Sequence, residues 1–351
     1  MHRFDYSFLN ERVVDSGMLN RALRIQEFRI RMKGIMENTP SVFTELESIA
    51  KIQSVKGSNA IEGIITSDER ITAIVNKKSE PRNHDEMEIA GYRDALNAIH
   101  SGHYTMDISE TTILGLYEIM MSYLPEGGRG YKDRNNVIIE EDNHGNRSVR
   151  FEPVPANETE KAMEQLMLAY YSARDDKSMN PLLLIPCFIL DLLCIHPFSD
   201  GNGRISRLLS LLMMYREGLD VGKYISFEEQ INRSKGRYYE ALRRSSEGWH
   251  ENKNDYVPFI EDFIGTLFLC YKDLDRRFIV VSGKKMTKTN RIEAAVLNSL
   301  LPISKKEICE FLPDISRTTV ELVISKMLEA GKIKKIGGNR NARYIRNEWN
   351  L

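Results

Sequence analysis

The sequence predicts a mainly α-helical protein interrupted by one β-hairpin, with a small winged helix-turn-helix at its C-terminal end. Three observations carry this reading. Apolar residues recur at spacings of three and four through most of residues 1–280, the period of helices that bury one face. One stretch, "NNVIIEEDNHGNRSVRFEPVP", alternates instead around Val137 and Ile139, turns at "DNHGN" and resumes at Val149 and Phe151. That is a hairpin pattern. From Lys284 onward the charge also changes sign, with 14 Lys and Arg against 7 Asp and Glu, whereas the rest carries 35 against 43.

Length and composition bound the possibilities. A chain of 351 residues suits two or three units. With 42% hydrophobic and 28% charged residues it is a globular protein, neither disordered nor collagenous. No apolar run approaches the ~20 residues of a membrane span, so no membrane partner is expected. The polar N-terminus, "MHRFDYSFLNERVVD", does not resemble a secretory signal. The four cysteines, Cys187, Cys194, Cys270 and Cys309, form no CxxC pair and read as reduced thiols of a cytoplasmic protein. The expected division is an N-terminal helical region over 1–105, a helical body over 106–275 and the winged helix over 285–351, with "VSGKKMTKTN" as linker. The basic tail on an acidic body suits a polyanionic partner such as DNA for residues 285–351 alone.

Taken in order, "SVFTELESIAKIQSVKGS" and "DEMEIAGYRDALNAIH" are amphipathic helices, and "DISETTILGLYEIMMSYL" is a third, ended by Pro125 and the "EGGRG" turn. After the hairpin, "NPLLLIPCFILDLLCIHPF" is apolar nearly all round and belongs at the centre of the fold. Pro197 ends it just after His196. "RISRLLSLLMMYREG" is a second buried helix that stops at Gly218. In the tail, "RIEAAVLNSL", "SKKEICEFL" and "TTVELVISKMLEAG" read as three helices. The second and third open with capping boxes, Ser304 with Glu307 and Thr318 with Glu321. The third keeps Val320, Val323, Met327 and Leu328 on one face and ends at Gly331, after which "KIKKIGGNRNARYIRN" folds back at "GGNRN" as a basic two-stranded wing.

The chemistry concentrates in "CIHPFSDGNGRISRLL", residues 194–209, a loop held between two core helices. Gly201 and Gly203 let the backbone approach a ligand closely. Backbone N–H groups running into a helix N-terminus make an anion cradle. Arg204 and Arg207 add charge-assisted bonds to phosphate oxygens, and Asp200 suits a divalent cation bridging those oxygens. His196, on the rim, is placed to deprotonate an incoming hydroxyl. Together these parts describe attack on a phosphoryl group in the manner of nucleotidyl transfer. The string contains no GxxxxGK[ST] run, and it fails as a calcium loop because Arg204 stands where an oxygen ligand should be.

"HPFSDGNGRISR", His196 to Arg207, resembles the HPFx[D/E]GNGRxxR motif of Fic-domain proteins, and "SNAIEG", Ser58 to Gly63, is similar to the [S/T]xxxE[G/N] inhibitory helix of the subclass that carries it N-terminal to the domain. The resemblance covers about residues 40–265. It implies a Fic-type helical bundle in which the hairpin is a flap and "RYYEAL" an adenine-side helix. It further implies AMP transfer from ATP, with Mg2+, to a hydroxyl side chain of a target protein, the chain itself being one candidate target. Residue by residue it makes His196 the general base and Asp200 the magnesium ligand. Gly201, Asn202 and Gly203 form the cradle, with Arg204, Ile205, Ser206 and Arg207 completing the nucleotide-binding stretch. Tyr238 and Tyr239 face the base and ribose, Phe198 packs beneath the loop, and Val137, Ile138 and Ile139 pair with an extended target segment. Ser58, Glu62 and Gly63 belong to the inhibitory segment, Glu62 pairing with Arg207. Ser246 stands where relatives often have Asn. A second class of function stays open, a DNA-binding regulator whose Fic body senses nucleotide with little catalysis. Transfer of a different phosphate-containing group and a homodimeric state stay open as well.

Overall fold

A computed structural model describes residues 2–11, 14–38, 40–125, 127–141, 147–282, 287–297, 299, 302–312, 314–338 and 342–347. The chain divides into two compact units, Met1–Tyr271 and Lys272–Leu351. The hairpin turn at 142–146, residues 283–286 of the expected linker, and the wing tip with Arg340 lie outside the described residues.

The first unit opens with α1 (Phe8–Glu11), α2 (Ser16–Asn38), α3 (Pro40–Ile61), α4 (Asp68–Val75), α5 (His84–Gly102) and α6 (Glu110–Met121). The hairpin β1 (Ile138–Glu141) and β2 (Arg147–Phe151) follows, then α7 (Ala156–Asp175), α8 (Pro181–Ile195) and α9 (Asn202–Arg216). A short 3-10 turn (Asp220–Lys223) leads to α10 (Phe227–Arg233), α11 (Lys235–Ser246) and α12 (Val257–Ser282), whose last turns run past Tyr271. Polar side chains start four of these helices. Ser67, Asn83, Ser109 and Ser226 each accept a backbone N–H three residues on, removing one of the orphan donors of a first turn.

At the centre lies α8, between α7 and α9. In turn α9 packs on α5, and α5 on both α3 and α6, while α10 runs along α3. Two of these contacts admit no side chain. A β-carbon on Gly57 would come 2.8 Å from the Glu229 nitrogen, and one on Gly91 would collide with the Met120 carbonyl. The first of these close approaches helps set where the end of α3 falls, which matters for the site. Cys187 and Cys194 are both buried and form no disulfide.

The hairpin is antiparallel, pairing Ile139 with Val149 and Ile138 with Phe151, with a bulge between Ile138 and Ile139. Val137 lies one residue outside β1. Val137 and Ile139 share the exposed face and Ile138, between them, is half-buried, as strand alternation requires.

The second unit holds α13 (Lys288–Leu297), β3 (Ile303–Ser304), α14 (Lys305–Phe311), α15 (Arg317–Glu329), β4 (Ile333–Ile336) and β5 (Arg343–Arg346). Ile292, Val296, Ile308, Val320, Ile324 and Met327 form its core with Tyr344. One expectation is met with an addition and one is corrected. The two strands β4 and β5 pair antiparallel, and Ile303 and Ser304 add a third strand by pairing with Tyr344 and Arg343, giving the order β3-β5-β4. The Ser304–Glu307 capping box is present, but α15 is capped by Ser316, which accepts from the Thr319 nitrogen, so Thr318 lies within the first turn. Among the described residues no helix is long and apolar enough to cross a membrane.

Candidate active site

The loop after α8 is built by a residue in an unusual conformation. His196 caps α8 with φ 53° and ψ 59°, in the left-handed region, where a side chain other than glycine costs roughly 1–2 kcal/mol. Pro197 cannot continue a helix, and the turn sends the imidazole into a cavity of about 600 Å³. His196 Nδ1 lies 3.2 Å from the Leu193 carbonyl. A carbonyl only accepts, so Nδ1 carries the proton and Nε2 presents its lone pair. Burial, with the Lys132 cation adding to it, lowers the imidazole pKa to about 4, so the ring is neutral at pH 7.

Phe198 is fully buried and stacks on Tyr117 at 3.7 Å between centroids. Asn202 closes the loop on itself: its Oδ1 accepts from the Phe198 nitrogen at 2.9 Å and its Nδ2 donates to the Phe198 carbonyl at 2.7 Å. The Asn202 side chain is therefore committed to the loop, and only its backbone faces the cradle. Gly201 has φ +79° and precedes the first turn of α9. The resulting N-terminal turn, through Gly203, points its unpaired N–H groups and positive dipole end into the cavity.

Two buried arginines face the same space. Arg204 NH2 donates to Glu88 Oε1 at 3.1 Å and to Asp200 Oδ2 at 2.9 Å, while its Nε and NH1 are buried without a hydrogen-bond partner. Arg207 donates from Nε to Ser58 Oγ and from NH2 to the Ser58 carbonyl, both at 2.9 Å, and from NH2 to Glu62 Oε1 at 2.8 Å. Burial works against the Arg207 cation, yet the Glu62 carboxylate, with Tyr238 and Tyr92, holds its pKa above the ordinary value. Glu62 itself sits in the turn that ends α3, with Gly63 at φ +84°. A β-carbon on Gly203 would collide with Glu62 Oε1. The carboxylate thus fills the space that the glycine leaves open.

Residues 107–214, which contain this loop and both helices that hold it, match the family described as Fic/DOC. This stretch is similar to a Fic domain. Among curated proteins, a protein adenylyltransferase Fic from Nematostella vectensis is 26% identical over 219 residues, 60% of this chain and 45% of its own length. A Fido domain-containing protein from Dictyostelium discoideum is 34% identical over 91 residues, 25% of this chain and 64% of that protein. The chain thus spans about half to two thirds of the length of these relatives. Among solved structures, a Fic family protein from Desulfovibrio desulfuricans G20 superposes with a TM-score of 0.62 at 20% identity, covering 97% of this chain and 98% of that one.

Around the Fic motif the cavity gathers Glu62, Ile138, Ile139, His196, Asp200, Gly201, Asn202, Gly203, Arg204, Arg207, Tyr238 and Tyr239. Ser246 lines it too. Other expected residues stand apart. Ile205 is fully buried in the core, and the Ser206 hydroxyl donates to the Gly203 carbonyl, so neither lines the cavity. Ser58 is buried behind Arg207, and Val137 lies outside. Tyr238 is buried beside Tyr239, whose hydroxyl reaches toward the Ile61 carbonyl at 3.5 Å. The sequence reading missed Arg150 and Arg243 on the cavity wall, Glu88 behind Arg204, and Lys132 and Asn136 behind the loop. Only their positions in the fold bring them there. The donor set fits a nucleotide triphosphate: partnerless guanidinium atoms, a helix N-terminus and a glycine whose missing side chain leaves room. Asp200, 68% exposed at the mouth, is a hard oxygen donor suited to Mg2+.

Proposed function

We propose that the chain is an auto-inhibited protein adenylyltransferase, which moves AMP from ATP to a hydroxyl side chain of a target protein. The observation that carries the reading is the Glu62 carboxylate lying on Arg207 and over Gly203, in the same cavity as a neutral His196. In this mechanism His196 Nε2 takes the proton of the target hydroxyl, whose oxygen bonds to the α-phosphorus. The bond from that phosphorus to the β-bridging oxygen breaks, and pyrophosphate leaves toward Arg204, Arg207 and the first turn of α9. Asp200 would hold Mg2+, which supplies charge neutralisation of the phosphate oxygens. β1 would pair with an extended target segment by strand addition, with the chain itself among the candidate targets.

Glu62 competes with the γ-phosphate for Arg207. ATP then binds with its α-phosphorus turned from in-line attack, and misplacement by an ångström can cost ~10²-fold. Glu62→Gly should therefore raise incorporation of labelled AMP by up to about 10²-fold, with ATP affinity changed far less. Arg207→Ala breaks the same pair but also removes the phosphate contact, so it should stay inactive. Incorporation in Glu62→Gly no higher than wild type, in a folded protein, overturns the inhibitory reading.

The second unit supports a further part of the proposal. Three helices and a small sheet bearing Lys332, Lys334, Lys335, Arg343 and Arg346 fit a winged helix that contacts nucleic acid. On that reading the enzyme would be carried to DNA by its own tail.

A further inference from the structure

Behind the catalytic loop, residues 132–136 grip three carbonyls on either side of His196. The Lys132 backbone N–H donates to the Pro197 carbonyl at 2.9 Å. Its ammonium donates to the Ile195 carbonyl at 3.1 Å and to Asn136 Oδ1 at 2.8 Å. Asn136 Nδ2 in turn donates to the Phe198 carbonyl at 3.1 Å. Lys132 is only 4% exposed and does not line the cavity. Burial pulls its pKa down to about 8, so it remains largely a cation at pH 7.

We propose that Lys132 is a positioning residue for His196, its ammonium capping the C-terminal end of α8 and, with Asn136, holding the left-handed turn that aims the imidazole. Two physical needs meet there. The last carbonyls of α8 have no partner within the helix, and a cation at that end interacts favourably with the dipole. The left-handed backbone of His196 is disfavoured and persists only where its surroundings over-determine it. Bonds to Ile195, Pro197 and Phe198 brace the turn on both sides of that residue. A neutral side chain of similar length would leave the Ile195 carbonyl unpaired and let the turn relax.

This inference rests on the adenylyltransferase reading for its kinetic consequence but not for its structural one, so the test reads both. Lys132→Met in the Glu62→Gly background should lower kcat for AMP transfer about 10²-fold while KM for ATP changes less than threefold. Lys132→Arg, which keeps the cation and its donors, should recover most of the rate. Independently of any activity, amide hydrogen exchange at His196 and Phe198 should speed at least tenfold in Lys132→Met, while amides in the middle of α5 hold their wild-type rates. Wild-type exchange at His196 and Phe198 in Lys132→Met overturns the proposal, as does failure of Arg to restore slow exchange. If Lys132→Met does not fold, Asn136→Ala carries the test. It removes the bond to Phe198, and unchanged exchange at that residue's neighbours in the loop would count equally against the clamp. If Glu62→Gly itself transfers no AMP, the exchange data still decide the role of Lys132.

Discussion

His196 reaches its neutral state through where it lies. Burial lowers its pKa, the Lys132 cation adds to this, and Glu62 and Asp200 pull the other way, leaving it near 4. The folded value lies below the ordinary 6.5, so the unfolded chain takes up the proton first as pH falls. Stability conferred by this site is accordingly lost between about 6.5 and 4. The ring signal that disappears in His196→Ala should not titrate between pH 5.5 and 8 in nucleotide-free protein. A midpoint near 6.5 by NMR would contradict the buried setting. His196→Ala should also lose ~10²–10⁴-fold of transfer with ATP binding retained. Gly203 gives a sharper test at this scale. A methyl there must displace Glu62, yet it occupies the same space a phosphate needs. Gly203→Ala should therefore show no activation, and Glu62→Gly combined with Gly203→Ala should fall at least tenfold below Glu62→Gly, measured by AMP incorporation. The string from His196 to Arg207 was legible because each residue type has a chemical reason to stand beside the next. Lys132, Asn136 and Glu88 were not, since a lone Lys, Asn or Glu far off in sequence carries no signal until helices bring it to the loop. Asn202 was legible as part of the cradle, but the use of its side-chain amide to close the loop on Phe198 was not, because which group that amide satisfies depends on the turn.

Between single residues and the whole chain stand the helices and the hairpin. The apolar run of α8 and the period of α3, α5 and α9 were readable, because burial on one face or all faces leaves a trace in the sequence. The alternation of Val137, Ile138 and Ile139 was readable too, but not which of them reaches the cavity, since that depends on how the hairpin lies against the helices. The third strand of the small sheet escaped notice for another reason: two residues, Ile303 and Ser304, are too short to show a period. The position of α3 decides where Glu62 falls, and Gly57 sets that position by letting α3 approach the backbone of α10. Gly57→Ala places a methyl about 2.8 Å from the Glu229 nitrogen, where backbone, unlike a side chain, has little room to yield. Overpacking of this kind costs about 1–3 kcal/mol. The variant should melt several degrees lower and show partial activation, since α3 carries Glu62 with it. A lower melting temperature with wild-type AMP incorporation would mean that the end of α3 adjusts independently of its middle.

For the molecule as a whole, the uneven charge gives the clearest expectation. A tail of +7 attached to a body of −8 should confine any affinity for nucleic acid to one end. The full-length protein is expected to retard duplex DNA at low salt, with log affinity falling against log salt by about 0.9 per phosphate neutralised. Lys334→Glu with Lys335→Glu should flatten that slope by roughly two without altering AMP transfer. No retardation of any duplex at 20–50 mM salt, an ionic range chosen as roughly that in which such contacts are strongest, would instead favour a protein partner for the tail.

The Glu62 carboxylate is about one-third exposed, although its partner Arg207 is buried. Removing one partner from a buried pair costs about 3–5 kcal/mol, whereas an exposed pair is worth about 0–1 kcal/mol; with one partner reaching water, separating this pair lies between, at about 2–3 kcal/mol. At about 1.4 kcal/mol per factor of ten, roughly one molecule in a hundred is unlatched at any moment. On the auto-inhibited reading proposed above, the resting protein would be leaky, with a background rate set by that minority, and because the γ-phosphate competes with Glu62 for Arg207, more ATP should enlarge it. The same number caps the dynamic range: no activator that acts only by removing Glu62 can raise output beyond about a hundredfold, because the leak already contains the fully open rate at one part in a hundred.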